Sequence, residues 1–150
     1  MIDGVIIKPL EKFVDDRGWL MEIYRRDADN YQPLMSYLSY TKQNVARGPH
    51  EHVGQSDFFV FPGPGDFILH LWDRREDSAT KGEKMEIRVG ETEPCAVIVP
   101  PVVVHGYKCV SPSGAFSVNL PDRLYKGENK SEVVDEIRWE SNPDSPYKIE

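Results

Sequence analysis

Cysteine is scarce. The 150 residues hold two, Cys95 and Cys109, at no motif spacing. A reduced, structural pair therefore fits better than a disulfide or a cysteine metal site. Long hydrophobic runs are missing: none approaches the roughly 20 residues of a membrane helix. The start, Met1-Ile2-Asp3-Gly4, shows no basic and apolar leader, so cytoplasmic residence is expected. Positive charge is in deficit. Lys and Arg number 18 against 25 Asp and Glu, a net charge of −7, which opposes a nucleic-acid groove or attachment to an anionic membrane. A small phosphorylated ligand is still compatible, because a few local arginines can outweigh the global field. Repeats, linkers and low-complexity tracts are also absent, and one domain over 1–150 is expected.

Helical periodicity is almost absent too, and what replaces it is strand alternation. Val5-Ile6-Ile7 is a short strand candidate. Asp15-Asp16-Arg17-Gly18 is a tight turn, and Trp19 to Tyr24 alternates after it. Met35 to Val45 alternates with Tyr37, Ser39 and Thr41 on one side. Asp57 to Phe61, Phe67 to Asp73, Met85 to Val89, Ala96 to Val99 and Phe116 to Val118 complete the series. Pro62-Gly63-Pro64-Gly65 is the strongest turn signal. A short helix or an edge strand is expected within Glu128 to Trp139, and Ser141 onward is loop. Short strands every 8–12 residues predict an all-β sandwich or barrel.

Only four histidines occur, and two of them, His50 and His52, lie in Arg47-Gly48-Pro49-His50-Glu51-His52. On a strand, spacing of two turns both imidazoles to one face. A third, His105, follows the β-branched run Val102-Val103-Val104. His50, His52 and His105 sharing one cavity, with Arg47 close enough to hold an anion, is the central expectation. His70 alternates with Ile68 and Trp72 and is read as core or surface, not as a ligand.

Several segments, in order, resemble the dTDP-4-dehydrorhamnose 3,5-epimerase family of cupin jelly rolls. They are Asp16-Arg17-Gly18-Trp19 with Glu22, Arg47-Gly48-x-His50, and Gly65-Asp66 before a strand ending Asp73-Arg74-Arg75. Pro100 with His105-Gly106-Tyr107, Asp122 with Tyr125, and Ile137-Arg138-Trp139 follow. The resemblance implies a double-stranded β-helix and proton abstraction beside a ketone on a dTDP- or other NDP-linked 4-keto-6-deoxyhexose. His50 takes the position of the base, with no cofactor. It also implies substrate contacts from Arg47, His105, Arg17, Glu22, Tyr107 and Tyr125, the Arg17 and Glu22 positions often reaching a nucleotide across a dimer interface. The chain departs from the pattern in three places. The family's acidic tyrosine counts to Val118, its enolate-binding lysine to Phe58, and its next carboxylate to Leu69.

His52 opens alternatives. His-x-His resembles the sugar 3,4-ketoisomerases, where the pair His50 and His52 would move protons along one face. It also resembles metal cupins, where His50, His52 and His105 with Asp57 would suit iron, manganese, nickel or zinc. A non-catalytic protein binding a sugar nucleotide is the remaining alternative. Open jelly-roll edges predict a homodimer, closed by an N-terminal strand lent to the partner.

Overall fold

The computed structural model describes residues 1–150. Twelve strands form two five-stranded antiparallel sheets and one free hairpin. They are β1 (Ile6–Pro9), β2 (Phe13–Asp15), β3 (Gly18–Leu20), β4 (Tyr37–Thr41), β5 (Ala46–Glu51) and β6 (Asp57–Phe61). Then come β7 (Asp66–Asp73), β8 (Lys84–Gly90), β9 (Cys95–Val99), β10 (Val103–Cys109), β11 (Ala115–Asn119) and β12 (Ile137–Arg138). The first sheet runs β1-β9-β6-β11-β4, the second β12-β5-β10-β7-β8, and β2-β3 is the hairpin. This is the expected jelly roll.

The facing sides of the sheets enclose one apolar core. Phe59 and Phe61 from β6 meet Phe67, Leu69 and Leu71 from β7 and Tyr107 from β10. Alternation sends the next residues the other way. Phe58, Val60 and Val118 turn to the outer side of the first sheet, where Leu10, Ile23, Tyr24 and Tyr31 cover them. That covering explains one departure from expectation. The strand predicted for Trp19 to Tyr24 ends at Leu20, because Ile23 and Tyr24 pack over the sheet; Tyr24 meets Phe58 edge-on at 6.0 Å. Glu128 to Trp139 gives a single 3-10 turn, Glu128–Lys130, and the two-residue edge strand β12.

Cys95 and Cys109 are buried and free. The Pro62–Gly65 turn links β6 to β7 across the sheets. Gly65 has φ of 86°, and a Cβ there would lie 2.3 Å from the Gly114 carbonyl oxygen, so only glycine fits.

Candidate functional site

β5 and β10 pair so that His50 stands directly opposite His105. The pairing is close because neither strand carries a side chain at the crossing point. A Cβ on Gly48 would sit 2.7 Å from the His105 carbonyl oxygen, and one on Gly106 would sit 2.7 Å from that of Arg47. Directly paired residues share a face, and the His50 and His105 rings are 4.6 Å apart. His52, two residues past His50, joins them with ring centroids 5.5 and 5.9 Å away.

The fourth member comes from the other sheet. Asp57, first residue of β6 and fully buried, places Oδ2 3.1 Å from His105 Nε2 and 3.2 Å from His52 Nε2. Its Oδ1 accepts from the amide nitrogens of Gln55 at 2.9 Å and Asn119 at 2.8 Å. One ligand atom from each of His50, His52, His105 and Asp57 lies within 4.8 Å of the other three. His105 Nδ1 faces the Val103 carbonyl at 2.9 Å, which leaves Nε2 toward Asp57. His52 Nδ1 contacts the Asp135 carbonyl. The Asp135 carboxylate in turn accepts from the backbone N–H groups of Val53, Gly54 and Gln55 at 2.7–3.0 Å.

These surroundings split the histidines. Burial, with the neighbouring His105 and His52, holds His50 well below the ordinary imidazole value, so its ring is neutral at pH 7. Burial opposes charge on His52 as well, but the negative charge of Asp57, 3.2 Å away, prevails and pushes it up to about 8. Asp57 is held below the usual carboxylate range: burial opposes its charge, but the close approach of the His105 and His52 rings outweighs it.

Two members of the cluster, His50 and His52, form one wall of a cavity of about 860 Å³, within the range of small-molecule sites; His105, expected there as a substrate contact, is buried behind them with Asp57 and does not line it. His50 and His52 line it from the second sheet, Tyr37 on β4 from the first, and a strap over residues 121–136 covers it. Arg123, Lys126 and Lys130 reach it from the strap, and none of the three pairs with a carboxylate.

The other expected site residues divide. Tyr125 lines the cavity. Arg47 does not: its guanidinium donates to Thr41 Oγ1 and the Tyr40 carbonyl, both at 2.8 Å, which ties it to β4. Tyr107 belongs to the core, its hydroxyl 3.0 Å from Ser117 Oγ. Arg17 pairs with Asp15 and Glu22 with Arg25, all on the exposed N-terminal segment away from the cavity. His70 lies outside it as well, beside Glu86 and stacked on Trp72. Counting had also missed the facing of two positions. Phe58 and Val118 turn outward, so Asp57 and Asn119 are the residues β6 and β11 offer the site. Tyr37, Gln55, Asn119, Asp135 and the strap cations were not expected. The alternation Tyr37, Ser39, Thr41 was the available signal for the first of them.

The family model of dTDP-4-dehydrorhamnose 3,5-epimerase matches residues 1–143. The chain belongs to this family. Among curated relatives, this epimerase-family chain is 37% identical over 134 residues to the probable low-salt glycan biosynthesis epimerase Agl13 of Haloferax volcanii. That match covers 87% of this chain and 85% of the relative. It is 34% identical over 142 residues to the spore coat polysaccharide biosynthesis protein SpsL of Bacillus subtilis, covering 93% and 91%. In fold, the epimerase-family chain matches the dTDP sugar isomerase of Desulfovibrio desulfuricans G20 with a TM-score of 0.84. There the identity is 20%, over 98% of this chain and 91% of that one. Family and relatives make the protein a carbohydrate epimerase or isomerase.

Proposed function

We propose that the protein isomerises a dTDP-linked, or other NDP-linked, 4-keto-6-deoxyhexose, with His50 removing the proton beside the ketone. The observation that carries this is the position of His50. It is a neutral imidazole on the wall of the cavity, backed by His105 and by the Asp57–His52 pair. A neutral ring accepts a proton, and the His52 ring next to it supplies positive charge where an enolate oxygen develops. That role fits the place left open by the absent lysine. Arg123, Lys126 and Lys130 suit a diphosphate, and Tyr125 offers a face for a base to stack on. No cofactor is needed for this chemistry. The fold match to a dTDP sugar isomerase is consistent with the ligand class.

The test is exchange in D2O. With a dTDP-4-keto-6-deoxyhexose, NMR should show deuterium entering the carbon next to the ketone. His50→Gln should slow that entry by at least ~10²-fold. Nucleotide-sugar binding without exchange in the wild type would leave a binding protein instead.

A second reading has its own observation. Asp57 Oδ2 and His105 Nε2 are buried and lack hydrogen-bond geometry toward each other in spite of their 3.1 Å separation. Three imidazoles and a carboxylate converging in this way fit iron, manganese, nickel or zinc. Stoichiometric metal in the purified protein, lost in His50→Ala, would favour it over a metal-free isomerase.

We also infer a homodimer working in the cytoplasm. The β2-β3 hairpin exposes Phe13, Val14, Trp19 and Leu20, and edge strand β4 exposes Leu38 and Tyr40. A second copy would cover both surfaces and give Arg17 and Glu22 a route to a neighbouring cavity. Sedimentation should give twice the chain mass of 17.2 kDa.

A further inference from the structure

The position that counting assigned to an acid, Val118, faces the outer layer, whereas Asn119 beside it faces the site. In the β4–β11 ladder Asn119 stands opposite Tyr37. The Asn119 amide nitrogen donates to Asp57 Oδ1 and to the Tyr37 hydroxyl, both at 2.8 Å. This orientation is imposed, since the reversed amide would set its oxygen against the Asp57 carboxylate. The Tyr37 oxygen therefore accepts a hydrogen bond. Its own O–H has no acceptor in the protein and is available to a group in the cavity that Tyr37 lines.

The location matters as much as the hydrogen bond. His50 is on β5 of the second sheet and Tyr37 is on β4 of the first, so the cavity is lined by one from each sheet. A sugar ring held between the sheets would present one face to the imidazole and the other to the phenol. We propose that Tyr37 is the general acid of the reaction and that the enzyme inverts configuration at the carbon beside the ketone. This rests on the reading of His50 as base.

The atoms balance without an oxidant or a further reactant. The C–H bond breaks, its proton goes to His50, and the electron pair moves onto the ketone oxygen as an enolate. The Tyr37 O–H bond then breaks as a new C–H bond forms on the opposite face and the ketone returns. The imidazolium then gives its proton to solvent, and the phenolate takes one back. Burial pushes the Tyr37 phenol up to about 12, against the hydrogen bond from Asn119 and together with the charge of Asp57, so it is protonated when the cycle begins. A transfer along one face by the His50–His52 pair would need no phenol on the facing sheet.

Tyr37→Phe separates these possibilities. Phe keeps the ring and the β4 backbone and removes only the hydroxyl, so the variant should keep a melting temperature close to that of the wild type. Given a dTDP-4-keto-6-deoxyhexose in D2O, it should still wash deuterium into the carbon beside the ketone, because His50 can remove and return a proton on its own face. Formation of the inverted epimer should fall ~10²–10⁴-fold. Inverted product at the wild-type rate would overturn the assignment. So would an equal loss of exchange and product in a folded variant, which would make Tyr37 a positioning residue. No exchange in the wild type would remove the base reading, and this assignment with it. Exchange in the wild type with undiminished inversion by Tyr37→Phe would remove this assignment alone.

Discussion

Asp57 and Asp73 are both buried carboxylates at strand ends, and they are held in opposite ways. Asp73 is saturated. It accepts from Arg75 through Nε at 2.9 Å, NH2 at 2.8 Å and the backbone N–H at 3.1 Å, and from the hydroxyls of Ser78 at 2.5 Å and Thr80 at 2.7 Å. All these partners lie within seven residues of it, so the cluster staples one turn. Asp57 takes Gln55 and His52 from its own stretch of chain but Asn119 and His105 from distant strands, and its Oδ2 meets two imidazoles without a formed hydrogen bond. A closed shell spends its interactions on the fold. An open one leaves them for chemistry, and unsatisfied buried polar atoms are where such a role is expected.

Exchanging each carboxylate for an amide should break the comparison along that line. Asp57→Asn keeps the shape but puts an amide NH2 either against the two imidazoles or against the donors of Gln55 and Asn119. His52 loses the partner that raises its affinity for a proton. Turnover should fall roughly 10²–10⁴-fold, as for a carboxylate that orients a catalytic imidazole, with the melting temperature little changed. Asp73→Asn should do the reverse. It leaves Arg75 without its counter-charge, a loss of about 3 kcal/mol, which lowers the melting temperature by several degrees and leaves kcat/KM as it was. Equal effects of the two substitutions on both readouts would erase the distinction.

The same pair separates with pH. Asp73 is held below its ordinary range, chiefly by the Arg75 hydrogen bond. Its folded value therefore lies under its unfolded value near ~4. The stability it contributes is complete above that value and is lost as pH falls toward the folded one. In acid melts, the gap between wild type and Asp73→Asn should be constant above about pH 5 and close below about pH 4.

Local pattern was enough for the architecture and for the histidines. Alternation marked β8, short apolar runs marked β6 and β7, and the spacing of two between His50 and His52 put them on one face without any knowledge of the partner strand. Asp57 entered through its place after the histidine pair. What could not be read was facing, because one step of register reverses every side chain. Counting to Val118 and Phe58 landed one residue from Asn119 and Asp57. Arg47 fits an anion site by type, but Thr41 and the Tyr40 carbonyl on β4 of the other sheet already hold it, which only the packing of the two sheets shows. The strap was hidden for another reason. Residues 121–136 form little regular structure, so no period announces that Asp135 returns to the histidine strand.

Asp135 gives the smallest and most local effect. Its two carboxylate oxygens take three backbone N–H groups, from Val53, Gly54 and Gln55, and so tie the strap to the loop that follows His52. Burial works against its charge, and the bonds from Val53 and Gly54 outweigh it, so Asp135 stays ionised at neutral pH. Asp135→Asn replaces one of those oxygens with a donor facing other donors, while the main-chain carbonyl that meets His52 remains. The cost should be about 1 kcal/mol, since the site is partly open to water that can compensate. The strap should open more often, raising KM several-fold with kcat nearly unchanged. Hydrogen exchange at the amides of Val53 to Gln55 should quicken while the β6 amides stay protected. Because Asp57 lies two residues beyond that loop, a fall in kcat instead of a rise in KM would mean the strap sets the geometry of the histidine cluster as well as covering the cavity.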